Sequence, residues 1–527
     1  MTPTISDLAT LIDATVHVPE SVADAPTDLL AQAITSVSLD SSDTEQGGLF
    51  AALPGTKVHG AQFAARTNSA AVITDHAGWL ILLEEGETRP VLEVPDVRKV
   101  LGTVSAEVYR NPSADMTVIG ITGTSGKTTT SYLLEAGLMQ AGLKVGLIGT
   151  TGTRIAGQPV PTSLTTPEAP TLQSLFRRMR DEGVSHVVME VSSHALMLGR
   201  VQGVDFDVAG FTNLSQDHLD FHSSMAEYFE AKAMFFAAGS PIRADRAVIC
   251  VDDEWGKKMF DVACAERDDS AVWTIATSPD SSCYDNADYR TDNIEVAANG
   301  IQTCSLTSIN GAAELTVPLP GKFNVANATL AVALADAAGV ADRAAVIAGI
   351  AQVGVPGRMQ RIDRGQDFLA IVDYAHKPAA IAAVLDTVRT QASGRIAIVV
   401  GAGGDRDSGK RPIMGKEAAQ RADLVIITDD NPRSEDPAAI RAAVLAGTTD
   451  SAVQEANPGV EVREIGDRRQ AIEAAVAWAQ PGDVIVVAGK GHEVGQLIAG
   501  VQHHFDDREE LQAAITARMG KEVAHND

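Results

Sequence analysis

Lys127 directly follows a glycine and precedes three threonines in MTVIGITGTSGKTTT, Met116 to Thr130, and residues of these types in this order suit phosphate binding. Val118, Ile119 and Ile121 predict a short apolar strand. Gly123, Thr124, Ser125 and Gly126 predict a tight turn, and Lys127, Thr128, Thr129 and Thr130 open a helix through Leu134 and Leu138. Glycines let backbone N–H groups approach phosphate oxygens, the lysine adds a point charge near the β- and γ-phosphates, and the Thr128 hydroxyl is suited to ligating Mg²⁺. Only two residues separate Gly123 from Gly126, a departure from the commoner loop, and the strand before with the helix after is what favours ATP binding here over an ordinary strand-turn-helix corner. A partner for the metal lies in MEVSSHALMLGR, where Glu190 ends an apolar run and offers a strand-end carboxylate beside the loop. His194, His218 in NLSQDHLDFH and Lys232 in EYFEAKAMFF read, taken singly, as ordinary loop histidines and a helix lysine with its stem on apolar surface.

These residues need a scaffold, and at 527 residues the chain is too long for one core, so roughly three domains are expected. Hydrophobic residues make up 45% and aromatics 4%, which suits alanine- and valine-rich α/β domains with buried parallel strands. The net charge of -27 argues against a nucleic-acid backbone or an anionic membrane surface as partner. Cys250, Cys264, Cys283 and Cys304 lack metal-ligand or redox spacing and are expected to be reduced. The first residues, MTPTISDLATLID, lack a basic leader, and no apolar run approaches membrane-spanning length, so a soluble, cytoplasmic protein is expected.

Residues 1–112 form a first unit ending at Asn111-Pro112, with Leu49 to Leu53 as a strand between two loops. Residues 113–356 alternate apolar runs (116–122, 144–149, 184–191, 206–212, 246–251) with helical segments, which predicts a parallel sheet with crossover helices. Asn299-Gly300 and Asn310-Gly311 are hairpin signals that add antiparallel strands over 293–318. After a hinge at Gly354 to Ile362, residues 357–527 repeat the α/β theme with runs at 368–372, 396–400, 424–427 and 484–488. Each run ends in a polar or glycine-rich loop: Asp373 to His376, Gly401 to Asp407, Asp429 to Arg433 and Gly489 to Glu493. Ligands of open α/β sheets bind at the carboxyl ends of strands, so these four loops make a second candidate site.

In chain order the motifs TGTSGKTT (Thr122 to Thr129), TTPE (Thr165 to Glu168), EVSSHAL (Glu190 to Leu196), TNLSQDHLDFH (Thr212 to His222), GKFNVANATLA (Gly321 to Ala331), VPGRMQR (Val355 to Arg361), DYAHKP (Asp373 to Pro378), GAGGDRDSGKRP (Gly401 to Pro412), DDNPR (Asp429 to Arg433) and GKGHE (Gly489 to Glu493) resemble the Mur ligase family over essentially the whole chain. Within it they resemble the members that add the third residue of the peptidoglycan stem peptide. The resemblance implies an N-terminal domain for the uridine nucleotide, a central P-loop ATPase-like domain and a C-terminal Rossmann-like domain for the incoming amino acid. It implies UDP-MurNAc contacts at Ser41, Thr56, Lys57 and Val58, and contacts to the muramyl dipeptide at Thr165, Thr166, Ser192 and Arg200. ATP would be held by Gly123 to Thr129, Asn324, Asn327, Arg358 and Asp373. Lys232 would carry a carbamate that joins Glu190, His218 and Thr128 around the metal, with Lys127, Glu190, His218 and Lys232 as the catalytic set. Arg406, Asp430, Asn431, Pro432, Arg433, Gly489 and Glu493 would receive meso-diaminopimelate, since DNPR marks diaminopimelate-adding members.

Ser42, Ser125, Lys377 and Leu198 depart from the family's pattern, where Arg, Asn, Thr and Gln respectively can stand, and they put individual contacts in question, chiefly around the UDP-sugar. The activity implied is ATP-dependent amide-bond formation through an acyl phosphate, performed by a monomer with Mg²⁺. A lysine-adding ligase of the same type, a folylpolyglutamate synthase-like ligase and a non-enzymatic nucleotide-binding regulator are the alternatives. LDSS, LPGTKVHG and DDNPR disfavour the folate reading, and a regulator would need neither the carboxylate-metal cluster nor the amino-acid site.

Overall fold

The structure is a computed structural model that describes residues 2–18, 26–218, 221–297, 300–390 and 392–526. Its strands form three main sheets in chain order, and the seven strands Leu49–Ala52, Ala71–Thr74, Val145–Gly149, Val208–Phe211, Ile396–Val400, Leu424–Ile427 and Val484–Ala488 are buried along their whole length. Such strands read as unbroken apolar runs because both faces of the sheet are covered.

The first sheet has five strands, in the order Thr15–His17, Val91–Glu93, Ala71–Thr74, Leu49–Ala52, Val37–Ser38, parallel except for the first pair. Leu49, Ala51, Ile73 and Leu92 face one core with helix Val97–Val108, whereas Phe50, Ala52, Val72 and Val91 face the other. Helix Val97–Val108 ends just before Asn111, which is left-handed at φ 43°, and Pro112 opens a new short turn.

The central sheet has eleven strands. Strand Thr117–Thr122 lies between His186–Glu190 and Val208–Phe211, all parallel, and the chain runs outward from it to either side. It is therefore a topological switch point, where loops at the carboxyl ends of neighbouring strands diverge and leave a crevice. Antiparallel strands Tyr289–Val296, Gln302–Ser308 and Ala313–Val317 extend one edge, beginning earlier than the hairpin signals alone suggested. Asn310-Gly311 closes the second hairpin, with Gly311 N–H donating to Ser308; Asn299 of the first lies outside the described residues. Helices Lys127–Gln140 and Lys322–Ala337 pack together under the sheet through Leu133, Leu134, Leu138, Leu330 and Leu334.

The third sheet runs Gln360–Arg361, Leu369–Asp373, Val484–Ala488, Ile396–Val400, Leu424–Ile427, Glu461–Glu464, parallel apart from the first pair. All four polar loops named from the sequence leave carboxyl ends of its parallel strands. A fully buried ion pair, Arg468 Nη2 to Asp507 Oδ2 at 2.7 Å, ties the terminal helix to this sheet. Gly357, at φ 63°, brings the hinge against the Gly489 to Glu493 loop: a Cβ there would lie 2.1 Å from the carbonyl carbon of Gly491, so only glycine permits the approach. All four cysteines are free, and among the described residues no helix is long and apolar enough to cross a membrane.

Candidate active site

A cavity of 1270 Å³ opens between the central and third sheets. Its first wall is the loop after strand Thr117–Thr122. Gly126, at φ 91°, begins helix Lys127–Gln140 without any side-chain cap, which leaves the N–H groups of the first turn to whatever occupies the cavity. A Cβ on Gly126 would sit 2.3 Å from Asn327 Oδ1, so its lack of a side chain lets the loop close onto that helix. The loop is also stapled to the next strand end: Thr124 N–H donates to the Asn213 carbonyl at 2.9 Å, Ser125 N–H to Asn213 Oδ1 at 3.1 Å, and the Thr212 hydroxyl to the Ser125 carbonyl at 2.7 Å. Thr212 and Asn213 lie within TNLSQDHLDFH, and their place just beyond the end of strand Val208–Phe211 is the signal in the sequence that marks them.

Lys127 Nζ donates to the carbonyls of Gly123 at 2.8 Å and Thr124 at 3.2 Å. Burial, with the charge of Lys377 next, brings its ammonium down to about 8. Glu190, 1% exposed at its strand end, accepts from the Thr150 N–H and hydroxyl, each at 2.9 Å. Thr150 escaped sequence reasoning because nothing in its local pattern separates it from any turn threonine. The Thr128 hydroxyl accepts from Arg358 Nη2 at 3.2 Å, and that guanidinium lies 4.4 Å from the centre of the Tyr374 ring. Asn327 donates to Asn324 Oδ1 at 3.0 Å, both on the cavity wall. Asp373 also lines the cavity, but its oxygens accept from the backbone of Met359 at 2.6 Å and Ala375 at 2.8 Å, so its carboxylate ties the hinge to the strand end; burial raises its pKa.

His218, held at φ 52°, places Nε2 3.0 Å from Asp217 Oδ2. Burial, outweighing the neighbouring Asp217 charge, brings the ring down to about 3, so it is a neutral imidazole with lone-pair capacity at ordinary pH. Lys232, on helix Met225–Ala233, is 1% exposed and donates to the Gly123 carbonyl at 3.0 Å, behind the cavity wall rather than on it. Burial foremost, then Lys127 and Lys377, holds its amine well below the usual lysine range. Among the described residues no group of three or more His, Cys, Asp or Glu is arranged to hold a metal. Thr128 and Glu190, both on the cavity wall, carry hard oxygen donors of the kind magnesium prefers.

Thr165, Thr166, Ser192 and Arg200 line the neighbouring wall. The Thr166 hydroxyl donates to the Glu190 carbonyl at 2.9 Å, while Arg200 donates to the Thr166 carbonyl at 3.2 Å and pairs with Glu168 at 2.9 Å. Across the cavity stand Arg406, Asp430, Asn431, Arg433, Gly489 and Glu493. Pro432 is buried behind this wall. Asn431 Nδ2 donates to Glu493 Oε2 at 3.0 Å, and the Tyr374 hydroxyl donates to Glu493 Oε1 at 3.2 Å. Lys490, fully buried, fixes the other side of this pair: its Nζ donates to Asn431 Oδ1 at 2.9 Å and lies 3.1 Å from Asp430 Oδ1. Ser41, Thr56, Lys57 and Val58 do not line this cavity; they sit in loops at the carboxyl ends of the adjacent first-sheet strands Val37–Ser38 and Leu49–Ala52, with Val58 46% exposed.

Residues 121–335 match the model of the Mur ligase middle domain, and residues 357–491 that of the Mur ligase, glutamate ligase domain. A UDP-N-acetylmuramoyl-L-alanyl-D-glutamate–2,6-diaminopimelate ligase of Corynebacterium glutamicum is 61% identical over 497 residues, covering 93% of this chain and 94% of the relative. A solved structure of a ligase with the same description is 34% identical, with a TM-score of 0.65, covering 98% of this chain and all of that one. The folylpolyglutamate synthase of Mycobacterium tuberculosis, bound to ADP and AMPPCP, is 21% identical with a TM-score of 0.59, covering 74% of this chain and 91% of that one; at this identity the likeness concerns the fold alone.

Proposed function

The chain belongs to the Mur ligase family, and on that premise we propose that it is the ATP-dependent ligase that joins meso-diaminopimelate to the D-glutamate γ-carboxyl of UDP-MurNAc-L-Ala-D-Glu in peptidoglycan precursor synthesis. One observation carries the reading. A single cavity joins a phosphate loop, the Thr165 to Arg200 wall and the Arg433 to Glu493 wall, and a reaction that activates one carboxylate for attack by a second ligand's amine needs all three together.

A carboxylate does not react with an amine unaided. Its oxygen attacks the γ-phosphorus of ATP, ADP leaves, and the amine then attacks the acyl carbon and expels phosphate. Lys127 and the uncapped helix terminus stabilise the charge on the transferring phosphoryl. Thr128, Glu190 and His218 would hold Mg²⁺, which when bound supplies further charge neutralisation at that phosphoryl. Thr165, Thr166, Ser192 and Arg200 orient the dipeptide, and Ser41, Thr56, Lys57 and Val58 hold the UDP end from the first sheet. The proposal divides the chain into domains 1–112, 113–356 and 357–527, and their closure would exclude water from the acyl phosphate. The proposed enzyme acts as a monomer, in the cytoplasm that its polar substrates suit.

Incubation with ATP, Mg²⁺, UDP-MurNAc-L-Ala-D-Glu and a mixture of meso-diaminopimelate and L-lysine tests the assignment. The product mass should correspond to the diaminopimelate adduct, formed with one ADP per amide. ATP hydrolysis without amide product, or a lysine adduct as the main product, rejects it.

Lys232 meets the chemical condition for carbamylation, because only a free amine adds CO₂ and burial favours the free amine here. Lys232→Ala is expected to lose most activity and to recover part of it with added formate or acetate, whose carboxylate replaces the carbamate. Full activity of Lys232→Ala without additives rejects the modification.

The pocket's carboxylate has a pH signature. Burial and the charge of Asp430 raise Glu493 above its ordinary 4.5, and a cationic ammonium is held by the ionised form only. As pH falls through this raised value Glu493 takes up a proton, so KM for meso-diaminopimelate should rise from a higher pH than an ordinary glutamate would give. Glu493→Gln should abolish that limb while raising KM at neutral pH. A Gln variant that keeps the wild-type limb assigns the titration elsewhere.

A further inference from the structure

Lys377 sits in the loop after strand Leu369–Asp373 of the third sheet, yet its ammonium lies 2.5 Å from Asp217 Oδ2, in the loop that follows strand Val208–Phe211 of the central sheet. The two side chains are 12% and 10% exposed, so this is a largely buried ion pair bridging two sheets. Each partner is tied to one half of the reaction. Two residues before Asp217, Ser215 N–H donates to the Thr124 hydroxyl at 3.0 Å, and that hydroxyl returns a bond to the Ser215 carbonyl at 3.2 Å, so the Asp217 loop is bonded into the phosphate loop. Three residues before Lys377, Tyr374 donates to Glu493 in the amino-acid wall and lies under the Arg358 guanidinium. Lys377 leads directly into helix Pro378–Arg389, so its backbone is fixed to a third-sheet element while its ammonium reaches the central sheet.

We propose that Lys377 is a positioning residue for amide formation: paired with Asp217, it holds the amino-acid wall in register with the phosphate loop, so that the amine is delivered to the activated carboxyl. A largely buried pair suits this task as a register device, because a misaligned closure would bury one charge without its partner and so cost more than the aligned one. A one-residue shift in either loop would break both the pair and the bonds that continue from it. This inference rests on the ligase reading above and adds to it the means by which two walls from different sheets are aligned.

The test compares wild type, Lys377→Met and Lys377→Arg. Steady-state constants are measured for ATP and meso-diaminopimelate, together with the dissociation constant of a non-hydrolysable ATP analogue and the radius of gyration from small-angle scattering. Lys377→Met should lower kcat/KM for meso-diaminopimelate at least tenfold, leave analogue affinity within threefold of wild type, and show a larger radius of gyration. Lys377→Arg, which keeps charge and reach, should recover much of the loss. Should Lys377→Met fail to fold, Lys377→Gln is read by the same criteria. Wild-type kcat/KM and dimensions in the neutral variant overturn the proposal, as does a loss of analogue affinity as large as the loss of kcat/KM, which would make Lys377 a nucleotide contact instead. A wild-type protein that forms no amide sinks the ligase reading, whereas scattering still reports on the pairing of the two sheets.

Discussion

Lys127→Ala and Glu190→Ala are each expected to reduce turnover by on the order of a hundredfold or more at saturating ATP and Mg²⁺, equivalent to about 2.7 kcal/mol or more of lost transition-state stabilisation. In the proposed reaction the two residues would reach the same phosphoryl from different elements, Lys127 from a helix start and Glu190 from a strand end. Lys127 begins the helix whose unpaired N–H groups face the cavity, and its ammonium is folded over the loop by the Gly123 and Thr124 carbonyls. A triphosphate entering the loop would draw that ammonium from two neutral acceptors to a formal anion, an exchange that strengthens as charge builds on the transferring oxygens. Glu190 is aimed by Thr150, which donates to both carboxylate oxygens, so its orientation is set before any ligand arrives. Glu190→Gln offers the sharper comparison, because it preserves volume while removing the charge a metal would need. Near-normal turnover in the alanine variants, with protein folded as wild type, would reject both roles.

How much of this was readable in the chain depended on range in sequence. The buried strands were legible because a sheet covered on both faces needs unbroken apolar runs such as Ile396–Val400, and the loops that end them were legible from glycine and aspartate. The same rule placed residues 401–407, 429–433 and 489–493 at one edge, since parallel strands share a carboxyl end. The first sheet was largely hidden: beyond Leu49–Ala52 its strands include the two-residue Val37–Ser38 and the three-residue Thr15–His17, too short for periodicity to register. Cross-chain pairings were hidden for a different reason. Asp217 with Lys377 and Arg468 with Asp507 are contacts between elements distant in sequence, and a lone charged residue looks the same whether its partner is a water molecule or a buried carboxylate. Lys490 shows the point most plainly. It sits within GKGHE, a motif read for Gly489 and Glu493, yet its fully buried ammonium orients Asn431 from beneath the pocket.

Arg433→Ala is expected to lower kcat/KM for meso-diaminopimelate on the order of a hundredfold to ten-thousandfold while changing any residual rate with L-lysine far less. The two amino acids differ at the far end of the side chain, where diaminopimelate carries a carboxylate beside its amine. Arg433 stands at φ 53°, pinned by backbone bonds to Leu497 at 3.0 Å and from Ala499 at 2.8 Å, and one edge of its guanidinium is committed by Nη1 donating to the Gly404 carbonyl at 2.6 Å. Among the described residues no protein group accepts from Nε or Nη2, and these two nitrogens form the parallel fork that matches a carboxylate. Charged hydrogen bonds are worth roughly 1.5 to 3 kcal/mol each, so two of them give roughly 3 to 6 kcal/mol and the range of fold-changes stated. Lysine presents nothing to this fork, and binding it would leave a desolvated guanidinium facing apolar methylenes, so the same residue attracts one amino acid and penalises the other. Asn431 and Glu493, joined at 3.0 Å, lie on the same wall and would receive the distal ammonium of either amino acid, which is why discrimination falls to the arginine. Arg433→Lys supplies a control: it keeps a positive charge but loses the planar fork, and should recover only part of the selectivity. Equal losses with both amino acids in Arg433→Ala would show that Arg433 supports the pocket's shape rather than its choice of substrate.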